Sequence, residues 1–152
     1  MSTWSNRLTE LGISLPAVAA PVAAYVPAVR TGNLVYTSGQ LPMVDGNLAA
    51  TGKVGGEVTP EQAKALARVC ALNALAAVHD LAGIDAVTRI VKVVGFVASA
   101  PGFTGQPGVV NGASELFGEI FGDAGAHARS AVGVSELPLD APVEVELIAE
   151  IR

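Results

Sequence analysis

Arg129, Glu144 and Glu146 are charged residues near the end of the chain whose types and spacing suggest chemistry. Arg129 opens a short β-rich run, and the two glutamates lie in a second run. The segment between the runs, SELPLDAP at 135–142, has the prolines, serine and aspartate that are typical of a turn. We therefore expect the runs to form an antiparallel pair of strands. Because side chains alternate along a strand, both carboxylates should lie on one face, about 7 Å apart and near a lone cation.

Two interpretations of this cluster are open. The first is a C-terminal hairpin with its charges on a solvated face, where a surface salt bridge of the arginine contributes less than about 1 kcal/mol. The second is a functional site. Spacing alone favours the first interpretation, so the choice between them depends on other features of the chain.

Four further residues have both a structural and a functional interpretation. Gly39 follows the β-rich run 34–38, where it either ends the strand or lets the backbone approach a ligand. Asn111 lies near the start of a predicted helix, so it is a cap or a ligand contact, and its position favours the cap. Cys70 lies in an apolar helical stripe, which indicates a core residue rather than a nucleophile. His79 falls in the last turn of that helix, where we expect it to interact with the helix C-terminus.

The composition bounds the class of protein. A chain of 152 residues fits a single domain over 1–152 with a core of its own. Apolar residues make up 51% of it and charged residues 15%, and the mean hydropathy is positive. This apolar excess predicts a subunit interface. The formal net charge is −5 and the 9 basic residues are scattered, so no nucleic-acid partner is expected.

The cysteine content and the hydropathy pattern lead us to expect a soluble, cytoplasmic protein, and the histidines lead us to expect no metal site. The single cysteine, Cys70, cannot form an internal disulfide and fits a reducing compartment. His79 and His127 have no partners at ligand spacing, so no metal site is expected. Segment 13–29 is apolar, but prolines interrupt it before it reaches the roughly eighteen residues of a membrane span. We expect this segment to pack in an extended form along the domain, and we expect no membrane partner.

The order of the predicted elements defines the fold class. They are a short helix over 3–11, a strand over 34–38, a turn at 44–47 with a return through 48–51, a helix capped by Thr59 and Gln62 and ended by Gly83, a strand over 87–99, a helix over 109–121 and the two C-terminal strands. In the long strand, the apolar run 93–98 suggests burial on both faces. This order predicts an α+β fold, in which a mixed sheet carries two helices on one face.

Three motifs resemble the signatures of the RidA (YjgF) family. They are HARSAVGV with LPLDAPVEVELIAEI near the C-terminus, NLVYTSGQLP at 33–42, and Tyr25 with AVRTGN at 28–33. The resemblance covers about residues 20 to 151, so we expect an N-terminal extension over 1–20 and a family core over 21–152. It implies a chorismate-mutase-like fold and a homotrimer with pockets between subunits. It also implies hydrolysis of reactive enamines or imines such as 2-aminoacrylate to a 2-oxo acid and ammonia, without a cofactor.

The resemblance also implies roles for individual residues. Arg129 would clamp the carboxylate of a small substrate, for which the paired donors of a guanidinium are suited. Glu144 would orient or deprotonate the attacking water. The residues expected to bind substrate or shape its pocket are Tyr25, Ser38, Gly39, Asn111 and Ala131.

Some positions depart from the family pattern. Ala23 and Ala24 stand where many members have Gly-Pro, and Ala131 stands where a cysteine is common. The segments 46–56 and 99–108 also look longer than in compact members. Because of these differences, the sequence does not identify the substrate. It also allows an alternative function, a non-catalytic module that binds a 2-oxo acid, although the presence of Glu144 favours an enzyme.

Overall fold

The computed structural model describes residues 3–21 and 23–152, which fold into a five-stranded sheet, a small hairpin and three α-helices. The elements are α1 (Trp4–Glu10), β1 (Ala28–Thr31), β2 (Leu34–Thr37), β3 (Met43–Val44), β4 (Asn47–Leu48), α2 (Pro60–Ala82), β5 (Val87–Ala98), α3 (Gln106–Phe121), β6 (Ala128–Val134) and β7 (Val143–Ile151). Short 3₁₀ turns follow α2 and α3 and precede β7.

The strands of the large sheet lie in the order β1-β2-β7-β5-β6. The β5–β6 pair is parallel, whereas β1–β2, β2–β7 and β5–β7 are antiparallel, so the sheet is mixed. Helices α2 and α3 cover one face, and their apolar residues form one core with the inward side chains of β2, β5 and β7. The predicted α+β fold with two helices on one face is confirmed.

The predicted pairing of the two C-terminal strands is wrong. Strand β5 lies between them and pairs with β6 on one side and with β7 on the other. The proline-rich turn 138–140 therefore carries the chain across the end of β5 instead of closing a hairpin. The physical reason lies in β5, whose length of 12 residues and apolar side chains offer a full ladder to both neighbours.

Helix α2 forms as its sequence predicts. The Thr59 hydroxyl accepts the backbone N–H of Gln62, and the Gln62 side chain accepts the N–H of Thr59, which completes a capping box. Gly83 caps the other end with a positive φ of 80°. Cys70 is fully buried, which confirms it as a core residue, and this burial raises the pKa of its thiol.

By length and composition, α2 would also qualify as a membrane span. Half of its most apolar window is buried against the rest of this domain, as in the core helix of a globular fold. Its contacts with α3 and β7 account for that apolar character.

Other predicted boundaries shift by a few residues. Asp45 and Gly46 have positive φ angles of 51° and 82°, as a tight Asp-Gly turn requires, but the return strand ends at Leu48. Helix α3 begins at Gln106, three residues before the predicted start, and its N-cap is Gly105. Asn111 therefore lies inside the helix, and its predicted role as a cap is wrong.

The N-terminal helix is attached to the domain by specific contacts. The Trp4 indole donates a hydrogen bond of 2.7 Å to the carbonyl of Val87, and its ring meets Phe121 edge-on at 5.1 Å. Ser5 donates through its backbone N–H and its hydroxyl to Asp85, which lowers the pKa of that carboxyl. The segment that follows forms no helix or strand before Ala28 in its described part, although Val22 within it lies outside the described residues.

Close packing of α2 against α3 depends on Gly112. A methyl group at this position would collide with the backbone carbonyl of Lys64, which cannot move without shifting α2. We therefore expect Gly112→Ala to destabilise the fold by about 1–3 kcal/mol. Urea denaturation followed by circular dichroism measures this change.

Gly118→Ala in the same helix is the matched control. Apart from its chain neighbours and the adjoining backbone of α3, no atom of the described chain lies within 4 Å of the added methyl group. The substitution should therefore stabilise the fold by about 0.5–1 kcal/mol through helix propensity. Equal effects of the two substitutions would contradict the close helix contact.

Candidate active site

A β-bulge places Gly39 at the end of β2. Tyr36 pairs with Ile148, and Gln40 pairs with Val145, so the three residues 37–39 lie opposite the two residues 146–147. The extra residue breaks the regular ladder between β2 and β7 at this point. Bulges often redirect side chains next to functional sites. Here the bulge brings the backbone of Gly39 against a side chain of β7.

That side chain is Glu144. A Cβ atom on Gly39 would lie 2.7 Å from Glu144 Oε2, closer than side-chain atoms pack, so the position requires glycine if the carboxylate is to stay there. Burial raises the pKa of the half-buried Glu144, and the nearby Glu146 raises it further. Both glutamates lie on the face of the sheet opposite the helices, as their alternation predicts. The result is a carboxylate that is more basic than an ordinary glutamate.

Tyr25 and Ser38 are connected to Gly39 through a cavity and a hydrogen bond. Tyr25 and Gly39 line one cavity of about 700 Å³, together with residues of the N-terminal segment, the β3–β4 hairpin and α2, whereas Glu144 lies outside its lining. The Ser38 hydroxyl donates a hydrogen bond of 2.6 Å to the carbonyl of Val26 and so ties β2 to the segment that carries Tyr25. We call Tyr25, Ser38, Gly39 and Glu144 the glutamate half-site.

Arg129 belongs to a second group. Its Nη1 donates to Asn111 Oδ1 at 2.8 Å and to Ser114 Oγ at 3.2 Å, both on α3. No group of the described residues accepts a hydrogen bond from its Nε or Nη2, and none of their carboxylates forms a salt bridge with it. The edge formed by Nε and Nη2 has the geometry that holds a carboxylate through two parallel hydrogen bonds. We call Arg129, Asn111 and Ser114 the arginine half-site.

Ala131 follows Arg129 on the same face of β6. It pairs with Gly95 in the ladder and packs against the core. It does not line the cavity of the glutamate half-site. Within a single chain, the small side chain of Ala131 therefore packs against the core next to Arg129.

The two half-sites do not meet within one chain. Arg129 pairs with the buried Val93 and faces α3, whereas Glu144 pairs with Phe96 on the opposite face. Strand β5 separates the two residues by about 10 Å across the sheet. The predicted cluster of a lone cation near both acids is therefore wrong for a single chain. Its assumption of directly paired C-terminal strands fails, and the alternation of side chains then separates the charges.

Ser114 and His127 were not among the predicted site residues. Ser114 Oγ lies 2.9 Å from His127 Nε2, so both belong to the surroundings of Arg129. The spacing of Asn111 and Ser114 by three residues places them on one face of a helix, and this was the available signal. Among the described residues, no three His, Cys, Asp or Glu side chains lie together as metal ligands would.

A family model shows the class of protein to which the chain belongs. The family model described as Endoribonuclease L-PSP matches residues 16–151. The chain belongs to this family, which is the YjgF/RidA family.

Curated relatives carry different names. Protein TCP17 of Trypanosoma cruzi is 45% identical over 148 residues, which cover 96% of this chain and 92% of the relative. A 2-iminobutanoate/2-iminopropanoate deaminase of Dermatophagoides farinae is 34% identical over 140 residues, covering 92% and 95%. The family thus includes relatives of this chain that are named imine deaminases.

Solved structures share the whole fold. A protein of unknown function from Agrobacterium tumefaciens is 45% identical with a TM-score of 0.90, covering 98% of this chain and 92% of its own. A protein from Shewanella oneidensis described as a putative endoribonuclease is 33% identical with a TM-score of 0.94, covering 99% and 100%. The YjgF gene product of Escherichia coli is also 33% identical but has a TM-score of 0.67, covering 89% and 94%. The backbone thus resembles the first two structures more than it resembles YjgF.

The contact between Gly39 and Glu144 has a measurable consequence. In Gly39→Ala, the new methyl group must displace the carboxylate from its half-buried position. Because burial raises the pKa of Glu144, its exposure should lower that pKa toward the ordinary glutamate value. Titration of the Glu144 carboxyl by ¹³C NMR measures the shift.

Gly108→Ala is the control, since its added methyl group has no atom of the described chain within 4 Å apart from its chain neighbours and the adjoining backbone of α3. It should leave the Glu144 titration unchanged. The same titration midpoint in Gly39→Ala and in the unsubstituted protein would contradict the contact.

Proposed function

We propose that this protein hydrolyses reactive enamines or imines, such as 2-aminoacrylate, to 2-oxo acids and ammonia. The observation that carries the proposal is Arg129, whose Nη1 is held by Asn111 and Ser114 while no described residue accepts from its Nε–Nη2 edge. A fixed guanidinium with this edge available suits a small carboxylate. The deaminase name of the D. farinae relative supports the reaction class.

The proposed mechanism assigns one task to each half-site. Arg129 binds the carboxylate and so places the adjacent C=N carbon. An enamine first tautomerises to the imine, gaining a proton from solvent at carbon and losing one from nitrogen to solvent. Glu144 then removes a proton from water as the new C–O bond forms, and passes it to the nitrogen, which takes the electron pair of the C=N bond and becomes an amino group. Glu144 next removes the proton of the new hydroxyl group and passes it to this amino group, so that the C–N bond breaks, ammonia leaves and the C=O bond of the 2-oxo acid forms. The raised pKa of Glu144 suits it to this exchange, because a stronger base removes the proton more readily.

Because the half-sites lie on opposite faces, both can act on one small molecule only if they come from different chains. We propose a homotrimer with a chorismate-mutase-like fold, in which Arg129 of one protomer faces the glutamate half-site of its partner. The open face of the sheet supports an interface, since Tyr36 and Val132 on it remain 39% and 43% exposed. Apolar side chains on a sheet face are typical of a surface that another chain covers.

The alternative is a binding module that holds a 2-oxo acid without chemistry. The arginine half-site serves this function equally well. Glu144 argues against it, because a carboxylate near a bound anion weakens binding, and a module that only binds gains nothing from it. The names of the T. cruzi and A. tumefaciens relatives state no activity, and so favour neither function.

Cleavage of RNA, which the description of the family model names, receives no support from the charge of this chain. The formal net charge is −5 with only 9 basic residues, whereas binding to a phosphate backbone depends on clustered positive charge. We therefore propose a small-molecule substrate and no nucleic-acid partner.

The oligomer is tested in dilute solution. Light scattering should give about three times the chain mass of 15.3 kDa. Val132→Asp should reduce that mass, because it places a charge on the open apolar face. A monodisperse monomer of the unsubstituted protein would contradict the proposed pocket between subunits.

Substitutions of Arg129 and Glu144 separate binding from chemistry. Arg129→Ala should abolish saturable binding of 2-oxo acids, and Arg129→Lys should restore little, because an ammonium lacks the paired donors. Glu144→Gln keeps the shape of the side chain but cannot accept a proton. It should lower kcat by about 10²–10⁴-fold while binding of a 2-oxo acid stays nearly intact. Ammonia release from freshly generated imino acids and calorimetry of 2-oxo acid binding measure the two effects.

Arg68→Ala is the control, because Arg68 is an exposed arginine that pairs with Glu119 on the helical side of the domain. It should alter neither binding nor ammonia release. If Glu144→Gln retains full activity while Arg129→Ala loses it, the glutamate is not catalytic and the site is only a carboxylate clamp. If the unsubstituted protein binds 2-oxo acids but releases no ammonia from any imino acid, the binding module is the correct function.

A further inference from the structure

A chain of hydrogen bonds leads from Arg129 into the turn after α3. Arg129 Nη1 donates to Ser114 Oγ at 3.2 Å, Ser114 Oγ lies 2.9 Å from His127 Nε2, and His127 Nδ1 lies 2.6 Å from the carbonyl of Gly125. A carbonyl oxygen only accepts, so His127 Nδ1 must carry a proton. In the neutral ring, Nε2 is then an acceptor, and the Ser114 hydroxyl donates to it. Every donor in the chain thus points away from Arg129.

This direction matters for Ser114. Because its hydroxyl proton is committed to His127, its oxygen lone pairs face Arg129 and accept from Nη1. Asn111 Oδ1 accepts from the same nitrogen at 2.8 Å. Nη1 has two N–H groups, so the two acceptors use both of them and fix the plane of the guanidinium.

The far end of the chain is fixed by packing. Gly125 is buried, and a methyl group at this position would collide with the carbonyl of Phe117, so only glycine fits here. The Phe117 ring meets the His127 ring edge-on at 5.7 Å with an angle of 87° between their planes. The imidazole therefore has little freedom to turn, and its tautomer is set by the Gly125 carbonyl.

We propose that Ser114 and His127 are positioning residues that orient Arg129, so that its Nε–Nη2 edge points at the substrate carboxylate. The orientation itself is a property of the folded chain, but its role in binding rests on the proposed function of Arg129. Without this chain of hydrogen bonds, the guanidinium would keep its charge and lose its orientation. We therefore expect weaker binding of the carboxylate with little change in the chemical step.

The first test measures the orientation and does not depend on activity. In mildly alkaline buffer, ¹⁵N NMR should show His127 as the Nδ1–H tautomer. His79 is an internal contrast, because its Nδ1 accepts the backbone N–H of Ile84 at 3.0 Å and it should therefore appear as the Nε2–H tautomer. The Nη signals of Arg129, assigned by their loss in Arg129→Lys, should report slow rotation that becomes fast in Ser114→Ala.

A second test measures coupling. Ser114→Ala and His127→Phe should each weaken binding of a 2-oxo acid, and raise KM, by about tenfold, with kcat within about twofold. Since both act through one chain of hydrogen bonds, the double variant should be little worse than either single one. His127→Gln restores an acceptor near Nε2 and should recover most of the affinity. Glu115→Gln, a neighbour on α3 that pairs with Lys64, should have no effect.

The outcomes separate this proposal from the proposed function. If the protein neither binds 2-oxo acids nor releases ammonia, the function is wrong, and the NMR measurements alone then decide the orientation. An Nε2–H tautomer of His127, or a rotation rate of Arg129 that Ser114→Ala leaves unchanged, would overturn the positioning role. Additive losses in the double variant, or a loss in kcat without a change in KM, would overturn it as well.

Discussion

The position of β7 between β2 and β5 determines where every other part of the site can lie. A central strand whose odd-numbered residues, from Val143 to Ile151, are all buried against the helices must direct its even-numbered residues to the other face. Glu144 and Glu146 are on that face for this reason. Strand β6, paired with the far side of β5, aligns Arg129 with Val93 and so directs it toward α3. The separation of acid and arginine is thus a consequence of strand order and pleat.

Each half-site is held in place by neighbouring secondary structure: the junction of β2 and β7 supports the glutamate half-site, and the packing of α2 against α3 supports the arginine half-site. The bulge that brings Gly39 to Glu144 leaves the backbone N–H of Leu147 without a ladder partner, and the buried Thr37 hydroxyl accepts it at 3.0 Å. On the other side, α3 carries Asn111 and Ser114 and contacts α2 closely through Gly112. The orientation of Arg129 therefore depends on the helix pair, and the position of Glu144 depends on the junction of β2 and β7.

The sequence predicts those features that neighbouring residues determine. The capping box of Thr59 and Gln62, the turn at Asp45 and Gly46 and the alternation along β7 all depend on interactions within a few residues, and all are present. Strand order depends on contacts between distant segments, and the turn 138–140 looks like a hairpin connection although it leads across β5. Asn111 was among the predicted site residues, but Ser114 and His127 were missed for the same reason, since they meet only when α3 packs beside β6.

The separation of Arg129 from Glu144 also has an electrostatic consequence. A guanidinium next to Glu144 would lower the pKa of the carboxyl and make it a weaker base, whereas burial without a cation raises that pKa. An ion pair would also occupy the edge of Arg129 that a substrate carboxylate needs. In the pocket that we propose between protomers, the substrate carboxylate lies between the two charges and pairs with the arginine. The guanidinium then lowers the pKa of Glu144 less than a direct salt bridge would.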